Sequence, residues 1–333
     1  MHMNKKYRRY ATLIGLPVAD RGLTTNVGST NILRLKHHLQ NVCFPGIIQN
    51  KSQSNSFSMK EKLTFAGNCQ NMDLEQICSR IVPLIRETGL YQKEENNKLS
   101  QSGIEKKGKN DYVTYVDKES ERRLVECLSK IIPEAGFLTE ESYTAIPEEE
   151  YFWVVDPLDG TSNYIHHLSP YAISVGLMKS KEVLLGCIYE VTRDEAFYAW
   201  KGGKTWLNGR PVTVSETPTV ENSMIGHGIP YKLEKKYDYL RDCIPSFYGK
   251  CTLRHLGSAA AEMAYVAAGR IDAYFHDNLS PWDVAAGDII VREAGGNVSG
   301  FTNDKDPIFG KELIATNGRI HQELTDWIKQ YND

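Results

Sequence analysis

The sequence predicts a mixed α+β fold in which sheets and helices stack in layers. Three observations carry that prediction. Two amphipathic helical patterns come first, over residues 73–89 and 118–131. Strand-like apolar runs then fill the stretch from Tyr151 to Trp200, and from Gly257 helix and strand patterns alternate to the C-terminus.

Residues 1–71 precede the organised part. They are rich in Asn, Ser, Gln and basic residues, include the run IIQNKSQSNSFS and show no sustained period, so a disordered extension is expected there. Lys5, Lys6, Arg8 and Arg9 stand ahead of ATLIGLPVA in partial imitation of a secretion signal. Gly15 and Pro17 break that apolar piece and no small-residue cleavage site follows, which argues against export.

Organised sequence begins near Met72. In DLEQICSRIVPLIRETG, Leu74, Ile77, Cys78, Ile81 and Ile85 share one helical face. Asp73 with Gln76 forms the N-terminal cap, Pro83 is a point of bending, and Gly89 is the expected stop. A second helix, from Lys118 to Ile131, buries Leu124, Val125, Leu128 and Ile131 and is closed by Pro133. GFLTEESY then ends an apolar stretch in Glu140 and Glu141. YFWVV, YAISVGLMK, EVLLGCIYE and EAFYAW read as strands, and KGGKTWLNGRPV as tight turns between short strands.

From Gly257 the order is helix SAAAEMAYVAA with Gly269 as its stop, strand RIDAYF, loop HDNLSP, and helix DVAAGDIIVREA stopped by Gly295 and Gly296. A short strand near Asn297 to Phe301, strand ELIATN and a last helix with Ile320, Leu324, Trp327 and Ile328 inward complete the chain. The organised part thus spans 72–333, with an α+β half over 72–205 and an α/β half over 206–333.

Composition narrows the function. A formal net charge of -3 offers no electrostatic footprint for a nucleic-acid polymer or an acidic membrane, so a phosphorylated substrate would need local positive charge, for instance from metal ions. No apolar run approaches the length of a membrane span. The cysteines, at Cys43, Cys69, Cys78, Cys127, Cys187, Cys243 and Cys251, are odd in number and contain neither a CxxC pair nor a zinc-site spacing. Free thiols in a reducing compartment are expected, which places the protein in the cytoplasm.

The chemistry concentrates in YFWVVDPLDGTSNY. An apolar run drives into Asp156 and Asp159, with Pro157 fixing the turn. Two carboxylates at this spacing, with the Leu158 carbonyl between them, make a poor apolar core and a good site for a hard cation. An Asx-turn and a helix cap account for the same two residues equally well. Gly160 and Thr161 leave backbone N–H groups at a turn or helix start, which suits a phosphate. Glu140 and Glu141 repeat the pattern of acid at a strand end. Asp283, in SPWDVAAGD, alone reads as a helix N-cap. Three acidic clusters at element ends, far apart in sequence, can converge where strand and helix termini meet, as in a two-metal hydrolase.

Other conspicuous residues read more plainly. His166 and His167 are loop histidines exposed to solvent, and Trp282 is packing. Lys106, Lys107 and Lys109 form a basic loop open to two readings, a solvated charge run or a flap over the site.

The motifs TEES, DPLDGTSNY and PWDVAAGDIIVREAGG, together with VTYVDKESE and LGSAAAEMAYVAAGRIDAYF, resemble the inositol monophosphatase family. That family lies within the magnesium-dependent, lithium-sensitive phosphatase superfamily, which includes fructose-1,6-bisphosphatases. The likeness runs from about Met72 to near the C-terminus and leaves residues 1–71 outside.

The resemblance implies an αβαβα layered sandwich, a homodimer, and two or three Mg2+ per site. It implies that Glu140 and Asp156, with the Leu158 carbonyl, hold one ion, and that Asp156, Asp159 and Asp283 hold a second. Thr161 and Asp117, with Glu140, would orient the attacking water, and Glu141 would align a ligand rather than bind metal. The Gly160 and Thr161 amides would grip the phosphate. Asp159, Ser258, Ala259 and Asp283 would face the substrate.

One departure concerns the alcohol. Animal inositol monophosphatases carry a glutamate where this chain has His276, in DAYFHDNLSPWD, and that residue contacts substrate hydroxyls. The implied reaction is hydrolysis of a small polyol phosphate, first of all myo-inositol monophosphate. A 3′(2′),5′-bisphosphate nucleotide, fructose 1,6-bisphosphate or histidinol phosphate are alternatives on the same metal core. Ser162 and Asn163 after DGT, where the nucleotide branch has lysine, favour the inositol branch. A non-catalytic scaffold relative would have lost a ligand among Glu140, Asp156, Asp159 and Asp283, and all four are in place.

Overall fold

The structure, a computed structural model, describes residues 72–99, 103–108, 111–143, 145–230, 237–302 and 305–332. The extension expected over 1–71 lies outside the described residues, as do Cys43, Cys69 and Lys109.

Helix α1 (Leu74–Asn96) starts where its cap demands: Asp73 accepts the Gln76 N–H at 2.9 Å. Ile77, Cys78, Ile81 and Ile85 are buried along it. Gly89 does not stop the helix, which continues to Asn96. Gly89 instead faces the ring of Tyr189, where a β-carbon would lie 2.4 Å from Cε1. Its small size serves a close approach and not a left-handed cap.

A hairpin of β1 (Ile104–Gly108) and β2 (Asp111–Thr114) leads into α2 (Tyr115–Leu128). The helix begins earlier than the expected Lys118 because Thr114 and Asp117 cap it reciprocally. The Thr114 hydroxyl accepts the Val116 N–H at 3.1 Å, and Asp117 Oδ2 accepts the Thr114 N–H at 2.8 Å. Leu124 and Leu128 are buried as expected, whereas Val125 is only half-buried and Ile132 fills the place expected for Ile131.

Strands β3 (Gly136–Thr139) and β4 (Tyr151–Asp159) come next, then a short helix α3 (Thr161–Ile165). Strands β5 (Ala172–Lys179), β6 (Glu182–Glu190), β7 (Glu195–Trp200), β8 (Thr205–Leu207) and β9 (Arg210–Val212) follow. They form one sheet in the order β3-β4-β5-β6-β7-β8-β9. Only β3 and β4 run parallel; the remaining pairs are antiparallel. Every residue of β4 is buried, which explains its unbroken apolar run up to Asp156.

The remaining elements are β10 (Met224–His227), α4 (Leu240–Ser246), β11 (Thr252–Arg254), α5 (Ala259–Ala267), β12 (Ala273–Asp277), α6 (Pro281–Glu293), β13 (Asn297–Ser299), β14 (Glu312–Thr316) and α7 (His321–Asn332). The five strands form a second sheet in the order β11-β10-β12-β14-β13, parallel across β11, β10 and β12 and antiparallel beyond.

Three apolar cores define the layers. One lies between α1 and α2 and the first sheet, around Ile81, Leu124, Trp153 and Leu185. The second joins both sheets to α5 and α6, through Val154, Met263, Ala286, Ile290 and Tyr274. The third packs α4 and α7 on the far face of the second sheet, through Phe247, Phe275, Leu324 and Ile328. The order is helix, sheet, helix, sheet, helix: the αβαβα sandwich of an α+β protein. No helix among the described residues is long and apolar enough to cross a membrane.

Candidate metal centre

The end of β4 is where strand geometry gives way. Asp156 pairs with Ser174 and Asp159 with Ala172 on β5, and the register slips between them. The irregularity frees Pro157 and Leu158 from the ladder and re-aims the flanking aspartates, a use of bulges common beside active sites. Asp156 Oδ1 accepts the Leu158 N–H at 2.9 Å, so the Asx-turn reading holds for one of its oxygens. From beneath, Gln92 on α1 donates to the Pro157 carbonyl at 2.6 Å. Gly160 then turns the chain with φ of 88°, and a side chain there would also crowd the Gly257 carbonyl, 3.1 Å away.

Asp159 reaches the N-terminus of α5. Its Oδ2 accepts the Ser258 hydroxyl at 2.5 Å and the Ala260 N–H at 2.8 Å, so the helix end favours its ionised form. Asp283 is not the N-cap of α6. Ser280 holds that position with Pro281 first in the helix, and Asp283 sits one turn in, accepting the Ser280 N–H at 2.7 Å.

The structure brings Asp156, Asp159 and Asp283 together: one carboxylate oxygen from each lies within 4.8 Å of the others. Burial, then the charges of Glu140, Asp159 and Asp283, hold Asp156 well above the ordinary carboxylate range. Asp283 is raised likewise by burial and by Asp159 and Glu140. Burial pushes Asp159 up to about 6, with the Ser258 and α5 hydrogen bonds pulling the other way. Glu140 stands outside the three-oxygen cluster, at the end of β3, with its N–H on the Val155 carbonyl at 3.2 Å; its charge nevertheless acts on both Asp156 and Asp283.

Such an arrangement costs free energy without a counter-charge. Its donors are all hard oxygen, the set that suits Mg2+ or a related cation rather than zinc or copper. The residues present therefore fit a divalent metal.

Beside the cluster, the Thr161 hydroxyl lies 3.1 Å from Asp117 Oδ1 and 3.1 Å from the Leu158 carbonyl oxygen. Its single proton serves one acceptor at a time. Burial raises Asp117 against the hydrogen bonds it receives from Thr114 and Thr161. Glu141 follows Glu140 in the same turn and is half-buried. Ala259 is buried at the head of α5.

His276 lies near two further histidines, His227 and His255, and burial pushes it down to about 4. Its Nδ1–H donates to the Asp277 carbonyl at 2.7 Å, which leaves Nε2 an acceptor. His166 and His167 are exposed, and Trp282 is half-buried against Tyr143, with ring centroids 5.4 Å apart. Gln92 was hidden because the helix was expected to stop at Gly89; only with α1 continuing to Asn96 does its spacing from Ile81 and Ile85 place it on the buried face.

The model of the inositol monophosphatase family matches residues 73–332. This chain belongs to the inositol monophosphatase family. The Nus factor SuhB of Escherichia coli K12 is 35% identical over 234 residues, covering 67% of this chain and 88% of its own. The fructose-1,6-bisphosphatase/inositol-1-monophosphatase of Aquifex aeolicus is 33% identical over 244 residues, covering 73% and 91%. The solved structure of a Thermotoga maritima IMPase superposes with a TM-score of 0.70 at 32% identity, covering 78% of this chain and 98% of that one. As an inositol monophosphatase family member, the chain has the fold of that phosphatase family, and it carries a cluster of three acidic residues.

Proposed function

We propose that this protein is a Mg2+-dependent phosphomonoesterase that hydrolyses a small polyol phosphate, myo-inositol monophosphate first, to the alcohol and phosphate. The observation that carries the reading is the convergence of carboxylate oxygens of the buried Asp156 and Asp159 and the half-buried Asp283 to within 4.8 Å. Relatives named inositol-1-monophosphatase, such as the Synechocystis protein at 36% identity, support the substrate class.

In this reading Glu140, Asp156, the Leu158 carbonyl, Asp159 and Asp283 hold the metal. When bound, the ions supply positive charge against the phosphate oxygens and acidify water. The chain's own residues supply orientation. Asp117 accepts the Thr161 proton, so the Thr161 oxygen presents lone pairs to a water O–H. Glu140, on the neighbouring strand end, orients the same water together with Thr161 and Asp117. The Gly160 and Thr161 amides hold the phosphate, Glu141 aligns its neighbours, and Ser258 and Ala259 border the alcohol. His276, neutral and with Nε2 accepting, faces a hydroxyl donor where a carboxylate would carry charge.

The proposal extends to a lithium-sensitive cytoplasmic homodimer whose residues 1–71 take no part in catalysis. Deletion of 1–71 leaves turnover unchanged, and sedimentation of the truncated chain gives twice its monomer mass. The deciding experiment is an initial-rate assay on inositol 1-phosphate, fructose 1,6-bisphosphate, histidinol phosphate and 3′-phosphoadenosine 5′-phosphate, with Mg2+ and with EDTA. Inositol 1-phosphate is turned over fastest, and only with Mg2+. Absence of hydrolysis on every ester would favour a non-catalytic role, the reading to which the relative named a Nus factor points.

A further inference from the structure

Helix α2 directs two buried carboxyl groups, one turn apart, to two different segments. Asp117 is 1% exposed and Glu121 is 4% exposed. Asp117 meets Thr161. Glu121 reaches the turn that follows β3: its Oε2 accepts the Glu141 N–H at 2.8 Å, and its Oε1 pairs with the Ser142 hydroxyl. Both oxygens are therefore engaged by consecutive residues of one short turn, and that turn opens with Glu140.

The backbone of Glu140 is tied on its other side, by the hydrogen bond from its N–H to Val155 on β4. A residue fixed before and after by such bonds has little freedom of main-chain rotation, so its side chain leaves the backbone in one direction. A buried glutamate is an expensive way to close a turn that a neutral side chain would also close. Its placement is explained if the turn's orientation matters to what Glu140 faces.

We propose that Glu121 is a positioning residue: it locks the Glu141–Ser142 turn and thereby aims Glu140 at the cation held by Asp156 and Asp283. The inference rests on the metal reading given under Proposed function and adds to it a residue that touches neither metal nor substrate. The charge of Glu140 already bears on both aspartates, which agrees with such an aim. Outer partners that orient metal ligands change metal affinity by about 10- to 100-fold when removed.

The test uses the full chain as wild type, Glu121→Ala, Glu121→Gln, Ser142→Ala and Asp156→Asn. Mn2+ binding without substrate is read by the loss of the free-ion electron paramagnetic resonance signal. The Mg2+ dependence of turnover on inositol 1-phosphate is measured in parallel, with circular dichroism as the check of folding. Glu121→Ala weakens Mn2+ binding about tenfold or more, and raises the Mg2+ concentration for half-maximal rate by the same factor. The substrate KM at saturating Mg2+ stays near wild type. Glu121→Gln, which keeps an acceptor for the Glu141 N–H, recovers most of the loss, and Ser142→Ala falls between them.

Wild-type Mn2+ binding in Glu121→Ala overturns the inference. Should Glu121→Ala fail to fold, Glu121→Gln and Ser142→Ala decide: wild-type binding in both overturns it, and graded weakening upholds it. Wild type that binds no more Mn2+ than Asp156→Asn overturns the metal reading itself, and this inference with it.

Discussion

Ser258 donates its hydroxyl to Asp159 Oδ2 across 2.5 Å, joining two segments 99 residues apart in the chain. The bond ties the head of α5 to the end of β4 and holds the Asp159 carboxyl toward Asp156 and Asp283. It is also one of the few contacts that favour the ionised form of Asp159, against burial that lifts it to about 6. Ser258→Ala removes that support. A hydrogen bond to a charged group is worth about 2 kcal/mol, which corresponds to roughly thirtyfold in affinity. The variant is therefore expected to need more Mg2+ for half-maximal rate, and the deficit is larger at pH 6 than at pH 8, since protons compete with the cation for the carboxyl. Mg2+ titrations of initial rate at the two pH values measure it, and an equal deficit at both refutes the protonic explanation.

Asp156→Asn and Asp283→Asn each delete one charge from the cluster while keeping the side-chain shape. Turnover is expected to vanish with either. The metal-free fold is expected to gain stability, because a carboxyl held above its ordinary range is a cost to folding at neutral pH. The two effects oppose each other in sign, which distinguishes a metal site from a structural cap. Thermal unfolding in EDTA, set beside activity in Mg2+, gives both readings. A variant less stable than wild type in EDTA would mean that the aspartate serves the fold.

These acids were legible in the chain for a physical reason. Asp156 and Asp159 end a strand buried throughout, Asp283 opens an apolar helix, and charge in such surroundings has few other uses. The layer order was legible too, since the apolar periods of 3.6 and 2 residues follow from which faces are covered. Gly89 misled because its partner, the Tyr189 ring, lies on β6, and no local pattern distinguishes a glycine that admits a ring from one that ends a helix. Glu121 was hidden for a related reason, and Gln92 additionally because it lies beyond the helix end expected at Gly89. On α1 and α2 a polar side chain at helical spacing looks the same whether it meets water or the underside of a turn, and only the packing of α2 on β4 decides which.

Gln92 makes that underside explicit. It is fully buried, and its Nε2 donates to the Pro157 carbonyl at 2.6 Å and to Ser120 Oγ at 3.1 Å. Gln92→Leu keeps the bulk and strips the donors, leaving a buried carbonyl unsatisfied in the turn that carries Asp156 and Asp159. The cost is about 1–3 kcal/mol of stability, read by urea denaturation. The same variant is expected to lower kcat more than it raises KM, since the turn presents catalytic groups rather than the alcohol pocket. A stability loss with wild-type kcat would confine Gln92 to the fold.

Glu262 offers the clearest dependence on pH. It is 1% exposed, on α5, and its Oε1 accepts the Leu256 and Gly257 N–H groups at 3.2 and 3.3 Å. Its Oε2 is buried with no hydrogen-bond partner among the described residues. Burial, with a small addition from the charge of Asp159, pushes the group up to about 8. The folded chain thus holds a proton that the unfolded chain releases from the ordinary value of 4.5 upward. Stability is therefore lost as pH rises from 4.5 to 8, by an amount on the order of 5 kcal/mol at most. Glu262→Gln keeps an acceptor for the two N–H groups and cannot ionise, so it matches wild type at pH 5 and exceeds it increasingly toward pH 8. Melting temperatures in EDTA across that range measure the difference between the two proteins, which cancels the slopes contributed by the other buried acids. Parallel curves would show that Glu262 is already ionised in the fold, with its Oε2 satisfied by water.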